Sequence, residues 1–264
     1  MKDLIVLKLG GSLITEKDKD TPTINYPNLK RLAKEVGEAY KEGNFALVFV
    51  HGVGSFGHVI VKKTGINNGI TKESQLIDFA ETQRLQNELN VKVCKEFLKN
   101  NVPIIPVQAS ATAIMDAKKF EGMDTGAIKG MLELGLVPTL FGVPAYDRTQ
   151  GCSILSGDDI CTYLSKEFHA KRLIHATDVG GVFDSNPKEN SDAKLIAEIT
   201  RENFKDVLEK TGGSSNTDVT GGMKNKIKDL LELKGTKSEI INGNEPGYVK
   251  RALLGESGLG TQIN

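Results

Sequence analysis

The chain has 264 residues, and its 34 Lys+Arg balance 34 Asp+Glu. This leaves no basic excess for a broad nucleic-acid footprint. No apolar run approaches the ~20 residues of a membrane helix, and "MKDLIVLKLGG" turns into glycines too early for a signal peptide. Cys94, Cys152 and Cys161 are dispersed without Cys-x-x-Cys spacing, which excludes a disulfide framework and a cysteine zinc site and suits a reducing cytoplasm.

Asp3 to Leu9 is a nearly continuous apolar run ending in two glycines, the pattern of a strand buried on both faces in a parallel sheet. Asn28 to Glu42 has helical spacing through Leu29, Leu32, Ala33, Val36 and Tyr40, with Asn28 as the expected cap. A second buried strand, Phe45 to Val50, runs into "HGVGSFGH". Ser74 to Leu98 is a long helix with a face through Leu85, Leu89, Val93 and Phe97. Strands follow at Val102 to Val107 and Leu136 to Phe141, with a small hairpin at Ala117 to Met123 and a helix at Ala127 to Glu133 between them. A helix starting at Asp158, a strand over Arg172 to Ala176, and helices over Thr200 to Lys210 and Met223 to Leu233 come next. The strand Ser238 to Asn242 and the helix Tyr248 to Leu254 complete the order. This alternation predicts an α/β fold with a mostly parallel sheet, in a single domain over 1–264.

Glycine, at 28 residues, exceeds the usual share of about 7% and is clustered at strand ends. Backbone free of Cβ can approach a phosphate closely, so the set points to anion binding. "KLGGS" (Lys8 to Ser12) offers backbone donors and a lysine charge, although it matches neither a Walker A loop nor a Gly-x-Gly-x-x-Gly turn. Its plainer reading is a turn with a salt-bridged lysine. "HGVGSFGH" ends the second strand and puts His58 where a helix begins, while His51 reads as structural. "SGDD" (Ser156 to Asp159) is either a helix cap formed by Ser156 or Asp158, or a Gly157 donor beside a carboxylate. Asp178 follows a strand end, where it could hold a nucleotide hydroxyl or simply make a turn. "TDVTGGMKNK" (Thr217 to Lys226) places two glycines at a helix start with Lys226 in reach of an anion.

Taken in order, "KLGGS", "HGVGSFGH", "SGDD", "TDVGGVF" and "DVTGGM" resemble the amino-acid-kinase family of ATP-dependent phosphotransferases, over nearly the full chain. Within it, "GSFGH" together with "TDVTGGMKNK" resembles the branch that phosphorylates isopentenyl phosphate. The resemblance implies a three-layer α/β/α sandwich, a homodimer, ATP as donor, and isopentenyl diphosphate as product. It also implies an acceptor-binding N-terminal half and a nucleotide-binding C-terminal half. Position by position, it implies contacts to ATP from Lys8, Gly10, Gly11, Ser12, Gly54, Asp178, Phe183, Gly221 and Lys226. Val53, His58 and Gly157 would hold the acceptor phosphate, and Lys8, Lys17 and His58 would serve the transfer. Mg²⁺ would bridge the ATP phosphates with few protein ligands, and no metal ligand is assigned. The chain departs from the family pattern at Val53, Val143, Gly180 and Phe183. The prenyl tail is expected near Ile70, Leu76, Ile77 and Phe79.

A phosphate monoester has a second pKa near ~6, so this acceptor needs positioning and charge neutralisation more than a general base. Competing readings are a sister kinase acting on another small phosphate or phosphonate such as fosfomycin, and a non-catalytic nucleotide- or oxyanion-binding protein.

Overall fold

The computed structural model describes residues 2–16, 19, 21–185, 190, 192–211 and 224–264. The chain opens with strand β1 (Asp3–Leu9), the short helix α1 (Gly11–Ile14), helix α2 (Tyr26–Glu42), strand β2 (Phe45–His51), helix α3 (His58–Thr64) and the long helix α4 (Ser74–Leu98). It continues through β3 (Ile104–Pro106), β4 (Ala113–Asp116), β5 (Lys119–Met123), α5 (Gly126–Glu133), β6 (Val137–Phe141), β7 (Val143–Asp147), β8 (Gly151–Leu155) and α6 (Gly157–Glu167). The last part contains β9 (Arg172–Thr177), β10 (Glu198–Ile199), α7 (Phe204–Thr211), α8 (Lys224–Leu231), β11 (Lys237–Asn242), α9 (Tyr248–Leu253) and β12 (Gly260–Ile263).

The main sheet has the order β10-β12-β11-β9-β1-β2-β6-β3. β1, β2, β6, β9 and β11 are parallel, and β12 runs antiparallel to β11. Central β1 is buried along almost all of its length, as its nearly continuous apolar run requires. The next strand in sequence, β2, lies on one side of β1, whereas β9 lies on the other. The crevice outside the carboxyl ends of β1 and β9 is therefore a topological switch point, the usual ligand position in open α/β sheets. The α/β class and the mostly parallel central sheet are those expected.

A second sheet, β5-β4-β7-β8, was not anticipated beyond its first hairpin. That hairpin begins at Ala113 rather than Ala117, because Ala117 and Lys118 form its turn with φ of 47° and 68°. β7 and β8 are mostly buried and carry Pro144, Tyr146 and Cys152 with no clean alternation, so their pairing is a tertiary result. Helix α2 also starts earlier than expected. Asn25 is its cap and accepts from the Asn28 N–H at 3.2 Å, which places Pro27 inside the first turn, where a missing N–H costs nothing. Among the described residues, no helix is long and apolar enough to cross a membrane.

Candidate active site

Two loops meet at the switch point with backbone against backbone. Gly52 N–H donates to Leu9 O at 2.8 Å, tying the β2 loop to β1. A Cβ on Gly11 would overlap Gly54, with its Cα 2.8 Å away, and a Cβ on Gly52 would lie 2.9 Å from the Gly11 Cα. These two glycines are needed so that the loops can close on each other. Gly54 adds a left-handed φ of 46°. Thr15 Oγ1 locks the junction, donating to Gly11 O at 2.8 Å and accepting from Ser55 N–H at 3.2 Å.

This packing changes the expected role of Gly10. Its N–H donates to Ala176 O at 2.8 Å and extends the β1–β9 ladder, so it is not the phosphate donor that the motif suggested. Gly11 and Ser12 open α1, and their N–H groups have no acceptor within that helix. The Ser12 hydroxyl donates to Asp178 Oδ1 at 2.9 Å, joining the ends of β1 and β9.

The strongest charges gather around Asp158. Lys8 Nζ lies 2.8 Å from Asp158 Oδ1, Lys226 Nζ lies 3.7 Å from Oδ2, and His175 Nδ1 lies 3.3 Å from Oδ1. The two lysines are almost fully enclosed, with side-chain exposures of 12% and 14%. Burial alone would raise the Asp158 carboxyl. The cations at Lys8 and Lys226 and the nearby His175 overcome that effect and hold it well below the usual carboxylate range. Burial first, and then Lys8, depress the Lys226 ammonium, and Asp158 opposes that shift.

The local sequence explains why Asp158 is available. Ser156 Oγ accepts from Asp159 N–H at 3.0 Å, while Asp159 Oδ2 accepts from the Ser156 hydroxyl at 2.6 Å and from the Ser156 N–H at 3.3 Å. This reciprocal capping box starts α6. Asp159 is thereby spent on the cap and is unsuited to act as a base, and Asp158 is not the cap. A Cβ on Gly157 would lie 3.2 Å from Lys8 Cε, so the glycine leaves room beside the end of the lysine side chain.

A cavity of about 520 Å³ opens above this cluster, lined by Lys8, Gly11, Val53, His58, Gly157 and Asp158 among others. His58, exposed at the start of α3, shares it with Lys8 as expected. The apolar part of its wall comes from Val53, Val61 and Ile154. None of Ile70, Leu76, Ile77 and Phe79 lines it, and Leu76 and Ile77 are 53% and 73% exposed on α4. Gly54, Ser12, Asp178 and Lys226 stand behind or beside the cavity rather than in its wall. Phe183 is half-buried and bridges Leu195. Lys17 and Gly221 lie outside the described residues. His51 is buried as a structural residue, 3.0 Å from Gly52 O and 3.1 Å from Asn90 Oδ1.

Asp158 and His175 are site neighbours that the motifs do not single out. For Asp158 a signal existed, since Ser-x-x-Asp identifies Asp159 as the capping partner and leaves Asp158 over. No comparable signal marks His175, which becomes a site neighbour only through the β1–β9 register.

The sequence profile of the amino acid kinase family matches residues 3–242. The isopentenyl phosphate kinase of Methanothermobacter thermautotrophicus is 42% identical, over 98% of this chain and 98% of that one. That of Methanocaldococcus jannaschii is 37% identical, over 99% and 98%. A crystal structure described as isopentenyl phosphate kinase superposes with a TM-score of 0.84 at 38% identity, covering 99% of this chain and 100% of that one. The chain belongs to the amino acid kinase family, in the branch whose curated members carry the name isopentenyl phosphate kinase.

Proposed function

We propose that the protein transfers the γ-phosphoryl group of ATP to isopentenyl phosphate, giving isopentenyl diphosphate and ADP. The observation that carries this reading is a cavity at the switch point in which Lys8, His58 and the start of α6 converge, with Lys226 held against the same carboxylate. Two anions must meet end to end in such a reaction, and buried cations are the means of lowering their repulsion. The full-length similarity to isopentenyl phosphate kinases supports the choice of acceptor.

An oxygen of the acceptor phosphate attacks the γ-phosphorus, and the bond from that phosphorus to the β–γ bridging oxygen breaks as ADP leaves. The acceptor is already ionised near neutral pH, so no proton has to be removed first. Lys8 and Lys226 neutralise charge on the transferring group, and Lys17 is assigned to the same task. Asp158 sets the spacing of Lys8 and Lys226. His58 and the backbone at Val53 and Gly157 hold the acceptor phosphate, and Gly11 and Ser12 N–H groups face the ATP phosphates. Asp178, Phe183 and Gly221 belong to the nucleotide side. No cluster of three or more His, Cys, Asp or Glu suited to a cation occurs among the described residues. Mg²⁺, when bound with ATP, would supply neutralisation of phosphate charge, and no residue of this chain is assigned to it.

A homodimer belongs to the same proposal. Leu76, Ile77, Val91 and Leu98 are exposed by 53–73%, and at 100° per residue they fall within an arc of roughly 100° on α4. Light scattering tests it, and a monomer at all concentrations rejects it.

The deciding assay is ADP release with isopentenyl, dimethylallyl and longer prenyl monophosphates, with fosfomycin alongside. Turnover favouring isopentenyl phosphate is expected. Preference for fosfomycin would favour the sister kinase, and ATP binding without acceptor-stimulated ADP release would favour a nucleotide-binding protein.

A further inference from the structure

His175 stands on β9 directly beside Lys8 on β1, and beside Ile240 on β11. Residues in register on adjacent parallel strands share a face, so the imidazole lies on the same side of the sheet as the Lys8 stem. It is 1% exposed, and neither ring nitrogen makes a hydrogen bond. A buried polar group without a partner is costly, and an apolar side chain of similar size would avoid that cost. The ring is nevertheless directed at the site, with Nδ1 3.3 Å from Asp158 Oδ1. Burial depresses its pKa to about 4, so near neutrality it carries one N–H and no charge.

Asp158 Oδ1, the oxygen that His175 faces, is the one that Lys8 Nζ occupies at 2.8 Å. In the proposed reaction Lys8 turns toward the transferring phosphoryl group, and that oxygen loses its partner. The carboxylate, about one third exposed, would otherwise be free to swing after the departing lysine. We propose that His175 is a positioning residue: its Nδ1–H takes over Asp158 Oδ1 when Lys8 turns to the phosphates, so the carboxylate stays in place between the two lysines. A neutral donor suits this task because it adds no third cation to compete with Lys8 and Lys226. The inference rests on the phosphotransfer reading of the site.

Leu and Asn are nearly isosteric, and the Asn amide reaches the position of Nδ1. His175→Leu should lower kcat roughly tenfold or more while KM for ATP and for the acceptor changes less than about threefold. His175→Asn should recover kcat to within about threefold of the parent. Equal kcat in the two variants, or an effect confined to KM, would overturn the proposal. A second measurement does not depend on turnover or on a folded variant. Nitrogen NMR of the histidine-labelled parent protein should show the proton on Nδ1, with its proton signal moving downfield when ATP and Mg²⁺ are added without acceptor. A proton on Nε2 in both states rejects the role of His175, even if the enzyme is active. A parent protein that releases no ADP with isopentenyl phosphate rejects the phosphotransfer reading instead, and the NMR result then stands as the judgement on His175.

Discussion

Asp158 and Asp147 are both carboxylates held well below their ordinary range, yet they are held by opposite means. Asp147, fully buried at the end of β7, accepts backbone N–H groups from Ala117 at 3.1 Å, Lys118 at 2.8 Å, Thr149 at 3.0 Å and Gln150 at 3.0 Å. Burial pushes its pKa up, and these donors outweigh that effect and bring it down to about 2. They also pin the left-handed turn at Ala117 and Lys118. None of the four can leave without unmaking the hairpins. Asp158 relies instead on Lys8 and Lys226, long side chains from β1 and α8 whose charges can be re-aimed at an incoming phosphate. Backbone donors make a carboxylate structural, whereas side-chain cations leave it available to organise a reaction.

The sharpest way to break this contrast is Asp158→Asn. It should cost roughly a hundredfold to a thousandfold in kcat, because two lysines lose the charge that spaces them, and it should lower the melting temperature as well, since both enclosed cations lose their counter-charge. A large fall in melting temperature with normal kcat would reverse the assignment. Next in size is the acid response of His175. Its folded value of about 4 lies below the ordinary 6.5, so the unfolded chain binds the extra proton between those values. Stability is full above pH 6.5 and falls as pH drops toward 4, by about 3 kcal/mol. Urea melts at pH 7 and pH 4.5 should show that loss, with less of it in His175→Leu; an undiminished loss in the variant would assign it to other groups.

Asp147→Asn should act on stability alone, by about 2 kcal/mol, since it leaves backbone donors poorly matched without touching the cavity. Calorimetry should show the lowered melting temperature, and kcat at 25 °C should stay within twofold. Its acid limb is also distinct. The stability owed to Asp147 is present above pH 3.8 and lost as pH falls through 2, so the variant should lose less than the parent there. The smallest effect expected is that of His58→Ala, about a tenfold loss of turnover with isopentenyl phosphate at unchanged KM for ATP. Unchanged kinetics would remove His58 from the acceptor site.

Much of this contrast could be read from the residues before any tertiary structure. A nearly continuous apolar run marked β1, an unbroken one marked β2, helical periodicity marked α4 from Ser74 to Leu98, and glycines at strand ends marked the anion site. These signals are local, because burial on both faces or on one stripe leaves its pattern along consecutive residues. Lys8, Gly11, His58 and Gly157 stand in those glycine-rich motifs, whereas Val53 could be named only from the family resemblance. Only tertiary structure decided which groups face one another. Asp158 meets Lys8 across 150 positions, His175 joins them through strand register, and Gly10 gives up its N–H to Ala176. The second sheet and the apolar wall of Val53, Val61 and Ile154 were settled in the same way. Charge pairing and strand register depend on distance in space, which the order of residues along a chain does not contain.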